Sequence, residues 1–177
     1  MGTISVIIGC MFSGKTSELI RIARRNKVIN KKVLLINHTD DTRYAESQVI
    51  SHDLIGIDCI TCSNLSDILK LDLYPESDII CIDEGQFYSN LYSFCKTAAD
   101  SGKHVYVCGL DGDYKQEPFG EILKLIPIAE DVKKLNAFGK GCNNGNLGFF
   151  TKRIVDSNER VLIGSTESYI PVCRKCL

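Results

Sequence analysis

The stretch that decides the fold is TISVIIGCMFSGKT, residues 3–16. It opens with a β-branched apolar run that stops at a glycine, and an apolar-periodic segment typical of a helix follows it. Between the two, GCMFSGKT (residues 9–16) matches G-x-x-x-x-G-K-[ST] in the strand-to-helix context that this pattern requires. Glycines let backbone N–H groups curl around phosphate oxygens, the lysine neutralises the terminal phosphates, and the threonine hydroxyl suits Mg²⁺. The stretch therefore predicts a nucleotide-phosphate loop.

Three further apolar runs extend this unit into a sheet. They are KKVLLINH, SDIICIDE and KHVYVCGLDGD, and they are continuously apolar rather than alternating. Strands of a parallel sheet that is covered on both faces have this composition. A helix-like segment, FYSNLYSFCKTAADSG, separates the last two runs and ends at a glycine. This order of strands and helices predicts a doubly wound α/β domain over residues 1–135.

The composition changes from about Lys134 onward. GKGCNNGNLG is rich in Gly and Asn, FFTKRIV and RVLIGS are short strand-like pieces, and a CRKC motif lies near the end of the sequence. These features favour a small second domain over residues 136–177. If the CRKC cysteines form a metal-binding knuckle at the base of the Gly/Asn-rich loop, the loop would serve as a lid that closes on a substrate and excludes water.

Two carboxylates follow the third apolar run, in the stretch IICIDEG. We expect Asp83 to act on Mg²⁺ or its water shell from a strand that neighbours the phosphate loop. Glu84 points to the other side if the strand is still regular there, so it would face an acceptor hydroxyl and act as a general base. The spacing also allows Glu84 merely to orient water in an ATPase.

Composition narrows the functional classes. The chain has 177 residues, of which 44% are hydrophobic and 24% charged, and its formal net charge is −1. Such a chain can bury one core with a small appendage, and it lacks the basic excess of a sequence-independent nucleic-acid binder. The basic stripe of the first helix is interpreted as a solvated face; it consists of Arg21, Arg24, Arg25 and Lys27.

The sequence also bears on the compartment. No apolar stretch approaches the length of a membrane span, and the N-terminal residues lack the basic region and cleavage site of a signal peptide. We therefore expect a cytoplasmic protein with no membrane and no nucleic-acid partner. In a reducing compartment the nine cysteines do not form a disulfide framework, so metal binding or simple burial accounts for them.

Six motifs occur in one order along the chain: GCMFSGKT, DTRY, SHD, IDEGQF, GLDGDYKQEPFGEIL and ESYIPVCRKC. Together they resemble the thymidine kinases of the cellular cytosolic and poxvirus type, over nearly the whole chain. The resemblance implies a P-loop, RecA-like parallel sheet with a small C-terminal lasso and zinc-knuckle domain. It further implies transfer of the γ-phosphoryl group of ATP to the 5′-hydroxyl of thymidine with Mg²⁺, a homotetramer, and feedback inhibition by dTTP.

The same resemblance assigns roles to residues. Glu84 would be the general base, and Thr16 and Asp83 would hold magnesium. ATP and its phosphates would be bound by Gly9, Cys10, Met11, Phe12, Ser13, Gly14, Lys15, Thr16, Asp41, Arg43, Asp83 and Gln86. Thymidine would be bound by the side chains of Met11, Phe87, Leu110, Tyr114, Phe119, Thr151, Arg153 and Tyr169. A lasso loop would also contact it through backbone groups that recognise the pyrimidine edge; the loop consists of Arg160, Val161, Leu162, Ile163 and Gly164.

The C-terminal CRKC pair is half of a four-thiolate zinc knuckle, and the resemblance places the other half in AFGKGC. Cys142 aligns with the second cysteine of that pair, but Gly139 occupies the position of the first. We expect a structural zinc site with Cys142, Cys173 and Cys176 and an open fourth position. Water, a group from a neighbouring subunit or another side chain would fill it. Loss of the metal stays open, because a missing thiolate lowers affinity.

Other candidate ligands are weaker. Cys59 and Cys62 form a second Cys-x-x-Cys, but they lie in an apolar, strand-like stretch without glycine or basic residues, and we interpret them as buried structural thiols. The histidines all belong to the first predicted domain; they are His38, His52 and His104.

Rival functions stay open beside the kinase, and three departures from the family pattern, one of them Gly139 in the zinc motif, support an inactive homologue. Cys10 stands where the phosphate loop usually has proline, which implies slower catalysis or sensitivity to oxidation. Arg160 stands where a small apolar residue is usual. One rival is a RecA-like ATPase whose C-terminal knuckle binds nucleic acid or a protein, and the other is an inactive homologue.

Overall fold

In the computed structural model of the chain, residues 1–41, 48–50, 56–140, 145–157, 162 and 167–177 are described, with backbone alone at 48–50 and 56. The strands are β1 (Thr3–Gly9), β2 (Val33–His38), β3 (Gln48–Ile50), β4 (Gly56–Asp58), β5 (Ile60–Cys62), β6 (Ile79–Ile82), β7 (His104–Gly109), β8 (Asp131–Leu135), β9 (Ala137–Phe138), β10 (Leu147–Gly148), β11 (Phe150–Arg153) and β12 (Tyr169–Val172). The α-helices are α1 (Lys15–Val28), α2 (Leu73–Glu76) and α3 (Leu91–Asp100). Short 3₁₀ segments lie at Leu65–Lys70, Gly85–Phe87, Ile122–Ile128 and Arg174–Cys176.

A six-stranded parallel sheet with the order β5-β2-β6-β7-β1-β8 forms the centre of the fold. This confirms the predicted mixed α/β fold with a parallel sheet. The four apolar runs predicted as strands are the four inner strands of the sheet. Strand β8 was not predicted, because the side chains of Asp131–Leu135 are mostly exposed. An edge strand pairs with only one neighbour, and the faces of β8 are largely uncovered, so it lacks the apolar signal of an inner strand.

Helical segments bury apolar side chains on both faces of the sheet. On one face, Leu19, Ile20 and Ala23 of α1 pack with sheet residues that include Ile7 and Cys81. On the other face lie α3 and two of the 3₁₀ segments, with Leu91, Phe94, Cys95, Ala98, Leu65, Ile68, Ile122 and Leu125 in the core. Each fully buried leucine, isoleucine or phenylalanine side chain contributes about 1.5–3 kcal/mol of transfer free energy. These two layers fix the strand ends from which the site is built.

Helix α1 begins directly after the phosphate loop, where Gly14 adopts φ 81° as the N-cap. Its basic stripe is exposed, as expected for a solvated face. Arg21 and Lys133 both donate to the carboxylate of Glu18, at 2.6 Å and 2.8 Å. These two hydrogen bonds lower the pKa of Glu18 to about 2. The cluster ties the first turn of α1 to the edge strand β8, although partly exposed pairs of this kind contribute only about 0–1 kcal/mol each.

The parallel sheet ends at Leu135, and small antiparallel pairs follow it. Strand β9 pairs with β10, and β11 pairs with β12. A domain boundary after residue 135 stays a prediction. Among the described residues, no helix combines the length and apolar character that crossing a membrane requires.

Candidate functional site

A cleft of about 950 Å³, part of it open to solvent, lies at the carboxyl ends of the sheet strands. Ligands of open α/β sheets bind at this edge. The lining residues come from the phosphate loop, from the turns after β2, β6 and β7, and from the C-terminal segment. They are Met11, Phe12, Gly14, Lys15, Thr16, Ser17, Asp40, Asp41, Glu84, Gln86, Phe87, Leu110, Gly112, Asp113, Tyr114, Phe119, Thr151, Leu162 and Tyr169.

The phosphate loop has the geometry that its glycines permit. Gly9 has φ 150°, and a Cβ atom there would lie 2.3 Å from the carbonyl oxygen of Leu135. The ammonium group of Lys15 donates to the carbonyl oxygen of Cys10 at 2.7 Å, as does the hydroxyl of Ser13 at 2.8 Å. The backbone N–H of Met11 donates to the Thr151 hydroxyl at 3.0 Å. The C-terminal segment therefore touches the phosphate loop directly.

The thiol of Cys10 does not face the cleft. It is only 2% exposed and donates to the carbonyl oxygen of Gly148 at 3.3 Å. Burial raises the pKa of this thiol, which reduces its thiolate fraction. This burial opposes the expected sensitivity of Cys10 to oxidation, which stays a prediction.

The hydroxyl of Thr16 and the carboxylate of Asp83 lie together at the end of the phosphate loop. The Thr16 hydroxyl donates to Asp83 Oδ1 at 3.4 Å, although β7 separates the strand of Asp83 from β1. The expectation that these two strands are neighbours was wrong, because β7 lies between β6 and β1. Asp83 also accepts hydrogen bonds from the Glu84 N–H and the Cys108 thiol, at 2.9 Å and 2.7 Å. Burial, followed by the neighbouring Glu84 carboxylate, raises the pKa of Asp83 to about 6.

This oxygen pair fits Mg²⁺. Carboxylate and hydroxyl oxygens are the hard ligands that the ion prefers, and it keeps several water molecules when few protein ligands are present. A bound cation would hold the Asp83 carboxylate in its charged form despite the burial.

Glu84 faces the cleft from a left-handed turn, with φ 51° and ψ 41°, and it is 9% exposed. Strand β6 has already ended, so this orientation comes from the turn and not from a regular strand. Gln86 Nε2 donates to Glu84 Oε2 at 2.5 Å, while Gln86 Oε1 accepts the backbone N–H of Leu110 at 2.9 Å. Because a backbone N–H can only donate, it fixes which end of the Gln86 amide faces the glutamate.

Glycines make room for this glutamine. A Cβ atom at Gly109 would lie 2.3 Å from Gln86 Oε1, and one at Gly120 would lie 2.0 Å from the Gln86 carbonyl oxygen. Gln86 is 3% exposed. The sequence predicted Gln86 for the phosphate shell, but its contact with Glu84 could not be seen from spacing alone.

Aromatic and apolar side chains form the other end of the cleft. Phe87 and Phe119 pack edge to face, with ring centroids 5.6 Å apart. The predicted thymidine residues Met11, Leu110, Tyr114, Thr151, Leu162 and Tyr169 also line this cavity. Arg153, by contrast, lies behind the rings of Tyr114 and Tyr169. Five residues predicted for the site fall outside the described residues: Arg43, Arg160, Val161, Ile163 and Gly164.

Some residues that line the cleft were not predicted from the sequence. Asp113 is buried, and its Oδ1 accepts the backbone N–H groups of Lys115 and Glu117. An Asp two residues before a polar turn is a recognisable signal for such a contact.

His38, considered only as a metal candidate, instead packs against Phe87 with ring centroids 5.5 Å apart. Its Nδ1 accepts the N–H of Asp40, which lies at the mouth of the cleft.

The predicted zinc ligands are only partly described. Cys173 and Cys176 are half-buried and form one 3₁₀ turn, in which the N–H of Cys176 donates to the Cys173 carbonyl oxygen at 3.1 Å. Cys142 lies outside the described residues. Within the described part of the chain, no three His, Cys, Asp or Glu side chains come together as a metal site. Cys59 and Cys62, which were predicted to be buried, are only half-buried at the edge strand β5.

Comparison with known proteins gives one consistent result. A family model described as "Thymidine kinase" matches residues 2–177. Thymidine kinase a of Arabidopsis thaliana is 43% identical over 178 residues, which is 98% of this chain and 74% of the relative. The thymidine kinase of rabbit fibroma virus is 42% identical and covers 99% of this chain and 96% of its own. Thymidine kinase 1 of Dictyostelium discoideum is 41% identical, with 99% and 77% covered.

Solved structures resemble the chain only weakly. Domain III of the Thermotoga maritima replication initiation protein DnaA matches with a TM-score of 0.46 at 18% identity, covering 75% of this chain and 54% of that chain. Similarity at this level supports no statement about function.

Proposed function

Because the chain belongs to the thymidine kinase family, we infer that it is an ATP-dependent kinase that phosphorylates thymidine to dTMP. The observation that carries this inference is the family match over residues 2–177. The match favours the kinase over the ATPase alternative that the phosphate loop alone left open. The cleft agrees with it, since a carboxylate lies between a phosphate loop and an aromatic wall.

We propose that the phosphate end of the cleft binds ATP through backbone N–H groups and the cation of Lys15. The ammonium group donates a hydrogen bond to the Cys10 carbonyl oxygen. A triphosphate is a stronger, charged acceptor, so we expect Lys15 to exchange this contact for the β- and γ-phosphates. Thr16 and Asp83 would hold Mg²⁺. The ion, when bound, neutralises charge on the phosphate oxygens.

Glu84 is proposed as the general base. Its carboxylate would accept the proton of the 5′-hydroxyl as the hydroxyl oxygen attacks the γ-phosphorus and the bond to the ADP oxygen breaks. The hydrogen bond from Gln86 holds the carboxylate in place. Positioning of this kind lowers the barrier because the acceptor and base are already aligned.

The apolar end of the cleft is proposed to bind the thymine ring. Phe87 and Phe119 would pack against its face, and Leu162 and Tyr169 would cover it from the C-terminal segment. A covered site keeps water away from the γ-phosphate, which favours transfer to the nucleoside over hydrolysis. Asp40, Asp41 and Gln86 also line this cleft.

The proposal is tested by transfer of labelled γ-phosphate from ATP to thymidine. Parallel reactions would contain deoxycytidine, deoxyguanosine or no acceptor. We expect label in dTMP, with little in the other reactions. Release of label only as inorganic phosphate, whatever the acceptor, would overturn the proposal in favour of the ATPase or an inactive homologue.

We further propose that Cys142, Cys173 and Cys176 bind a structural zinc ion with an incomplete ligand set. Thiolates are suitable zinc ligands, and Lys140, next to Gly139, donates its N–H to the Pro171 carbonyl oxygen at 3.0 Å. This contact brings the segment of Gly139 beside the strand that leads to Cys173. Gly139 supplies no side-chain ligand.

Replacing Gly139 by cysteine is expected to increase zinc retention. A fourth thiolate completes the usual Cys₄ set, and structural zinc sites are stable as closed tetrahedra. Zinc remaining after dialysis against a chelator would be measured for the wild type and for Gly139→Cys. The control variant, Gly145→Cys, adds a thiol at an exposed glycine of the same segment. Equal retention in Gly139→Cys and the wild type would contradict the proposed geometry.

Other expectations from the sequence and from the family resemblance remain proposals. They are a homotetramer, feedback inhibition by dTTP, a cytoplasmic role in deoxynucleotide salvage for DNA synthesis, and no membrane or nucleic-acid partner. Gel filtration and inhibition by added dTTP would test the first two.

A further inference from the structure

Arg153 lies behind the thymidine end of the cleft, not in it. It ends strand β11 and is the register partner of Tyr169 in β12. The guanidinium carbon lies 3.8 Å from the ring centroid of Tyr114 and 5.3 Å from that of Tyr169. Both tyrosines line the cleft, whereas Arg153 is absent from the lining. The cation therefore contacts the wall residues and not the space for the substrate.

Hydrogen bonds extend this contact to a third wall residue. Arg153 Nη2 donates to the Tyr169 hydroxyl oxygen at 2.8 Å, and that hydroxyl donates to the carbonyl oxygen of Leu162 at 2.9 Å. Arg153 Nη1 also donates to the carbonyl oxygen of Ser157 at 3.2 Å. The Tyr169 hydroxyl therefore donates its proton to the Leu162 carbonyl oxygen, and the hydroxyl oxygen accepts a hydrogen bond from Arg153.

The three wall residues come from separate parts of the chain. Tyr114 follows β7, Tyr169 begins β12, and Leu162 lies in the connection between β11 and β12. Arg153 contacts the first two and reaches the third through the Tyr169 hydroxyl. A planar guanidinium can do this because it stacks on a ring while its N–H groups donate in the plane, which a lysine ammonium group cannot do.

We propose that Arg153 is a positioning residue that sets the affinity for the nucleoside by holding Tyr114, Tyr169 and Leu162 in place. Its cation stacks on the tyrosine rings, and its N–H groups fix the Tyr169 hydroxyl and, through it, the carbonyl group of Leu162. This inference rests on the proposed thymidine kinase function and deepens it. ATP phosphates bind at the opposite end of the cleft, so we expect the effect to be confined to the nucleoside.

The test is steady-state kinetics of Arg153→Met, in which a side chain of similar length loses the charge and the donors. We expect the KM for thymidine to rise about tenfold or more, because a charge-assisted hydrogen bond and a stacked cation are removed. The KM for ATP and kcat should stay within about twofold of the wild type. Arg174→Met is the matched control, since Arg174 stacks on Phe150 at 4.7 Å, and that ring does not line this cleft.

Coupling to the tyrosine gives a readout that a merely structural role would not move. Tyr169→Phe removes the hydroxyl that Arg153 binds, so the double variant should show a smaller rise in thymidine KM than the product of the two single effects. Arg153→Lys keeps a charge without the planar fork, and we expect a rise in thymidine KM between the wild type and Arg153→Met. It also serves as the test variant if Arg153→Met fails to fold.

Several results would overturn the inference. These are an unchanged thymidine KM in Arg153→Met, an equal rise in the KM for thymidine and ATP, an equal effect of Arg174→Met, or fully multiplicative effects with Tyr169→Phe. An unchanged thymidine KM in Arg153→Lys would overturn it if Arg153→Met does not fold. A wild-type protein that transfers no phosphate to thymidine would instead refute the proposed function, so the two failures are distinguishable.

Discussion

Replacing Glu84 by glutamine is expected to slow phosphoryl transfer to thymidine by about 10²- to 10⁴-fold, which is the usual contribution of a general base. Glutamine has nearly the same shape, and its amide oxygen can still accept the hydrogen bond from Gln86 Nε2. It cannot accept the proton of the 5′-hydroxyl as a carboxylate does. The loss should therefore appear in kcat, while the phosphate loop and the nucleoside wall stay intact.

The measurement is kcat and KM for both substrates in Glu84→Gln, together with equilibrium binding of ATP. We expect ATP binding within about twofold of the wild type, since a group that acts only in the transition state does not change ground-state affinity. Glu76→Gln is the control, because Glu76 is an exposed carboxylate that pairs with Lys32 away from the cleft. Unchanged turnover in Glu84→Gln would remove Glu84 from the role of base.

The inner strands of the fold were predictable, and the edge strand β5 lies in a stretch already interpreted as strand-like, but the other edge strand, β8, was not predicted. Strands β1, β2, β6 and β7 are apolar over most of their length because helical segments cover both faces of the sheet. Strand β8 reads DVKKL and exposes most of its side chains, so neither its composition nor its period indicates a strand. Its place in the sheet depends on pairing with β1, which lies more than a hundred residues earlier in the chain.

The candidate site also has some features that were predictable from the sequence and others that were not. The phosphate loop and the carboxylates Asp83 and Glu84 were predictable because short spacings define them. Contacts between distant residues were not, such as the Met11 N–H with the Thr151 hydroxyl and the Leu110 N–H with the Gln86 amide. The thymidine substrate came from the family resemblance alone. Spacing of the acidic residues fits an ATPase as well as a kinase.

Replacing Gly120 by alanine is expected to destabilise the protein by more than about 4 kcal/mol, a range reached by few point mutations. Gly120 has φ 62°, and a Cβ atom there would lie 2.0 Å from the carbonyl oxygen of Gln86 and 2.8 Å from its carbonyl carbon. Both contacts are with backbone, so no side chain can rotate to relieve them. The turn at Gly85–Phe87 must move instead, and with it the amide that positions Glu84.

The left-handed conformation alone does not account for such a loss, and Gly102→Ala separates the two causes. Gly102 has φ 94°, yet no heavy atom lies within 4 Å of the position of its Cβ. Alanine there meets only the left-handed backbone penalty, about 1–2 kcal/mol. Denaturant unfolding at 25 °C would compare both variants with the wild type, and kcat would be measured on the folded protein. A Gly120→Ala variant no less stable than Gly102→Ala, with normal kcat, would show that the 85–87 turn can shift without disturbing Glu84.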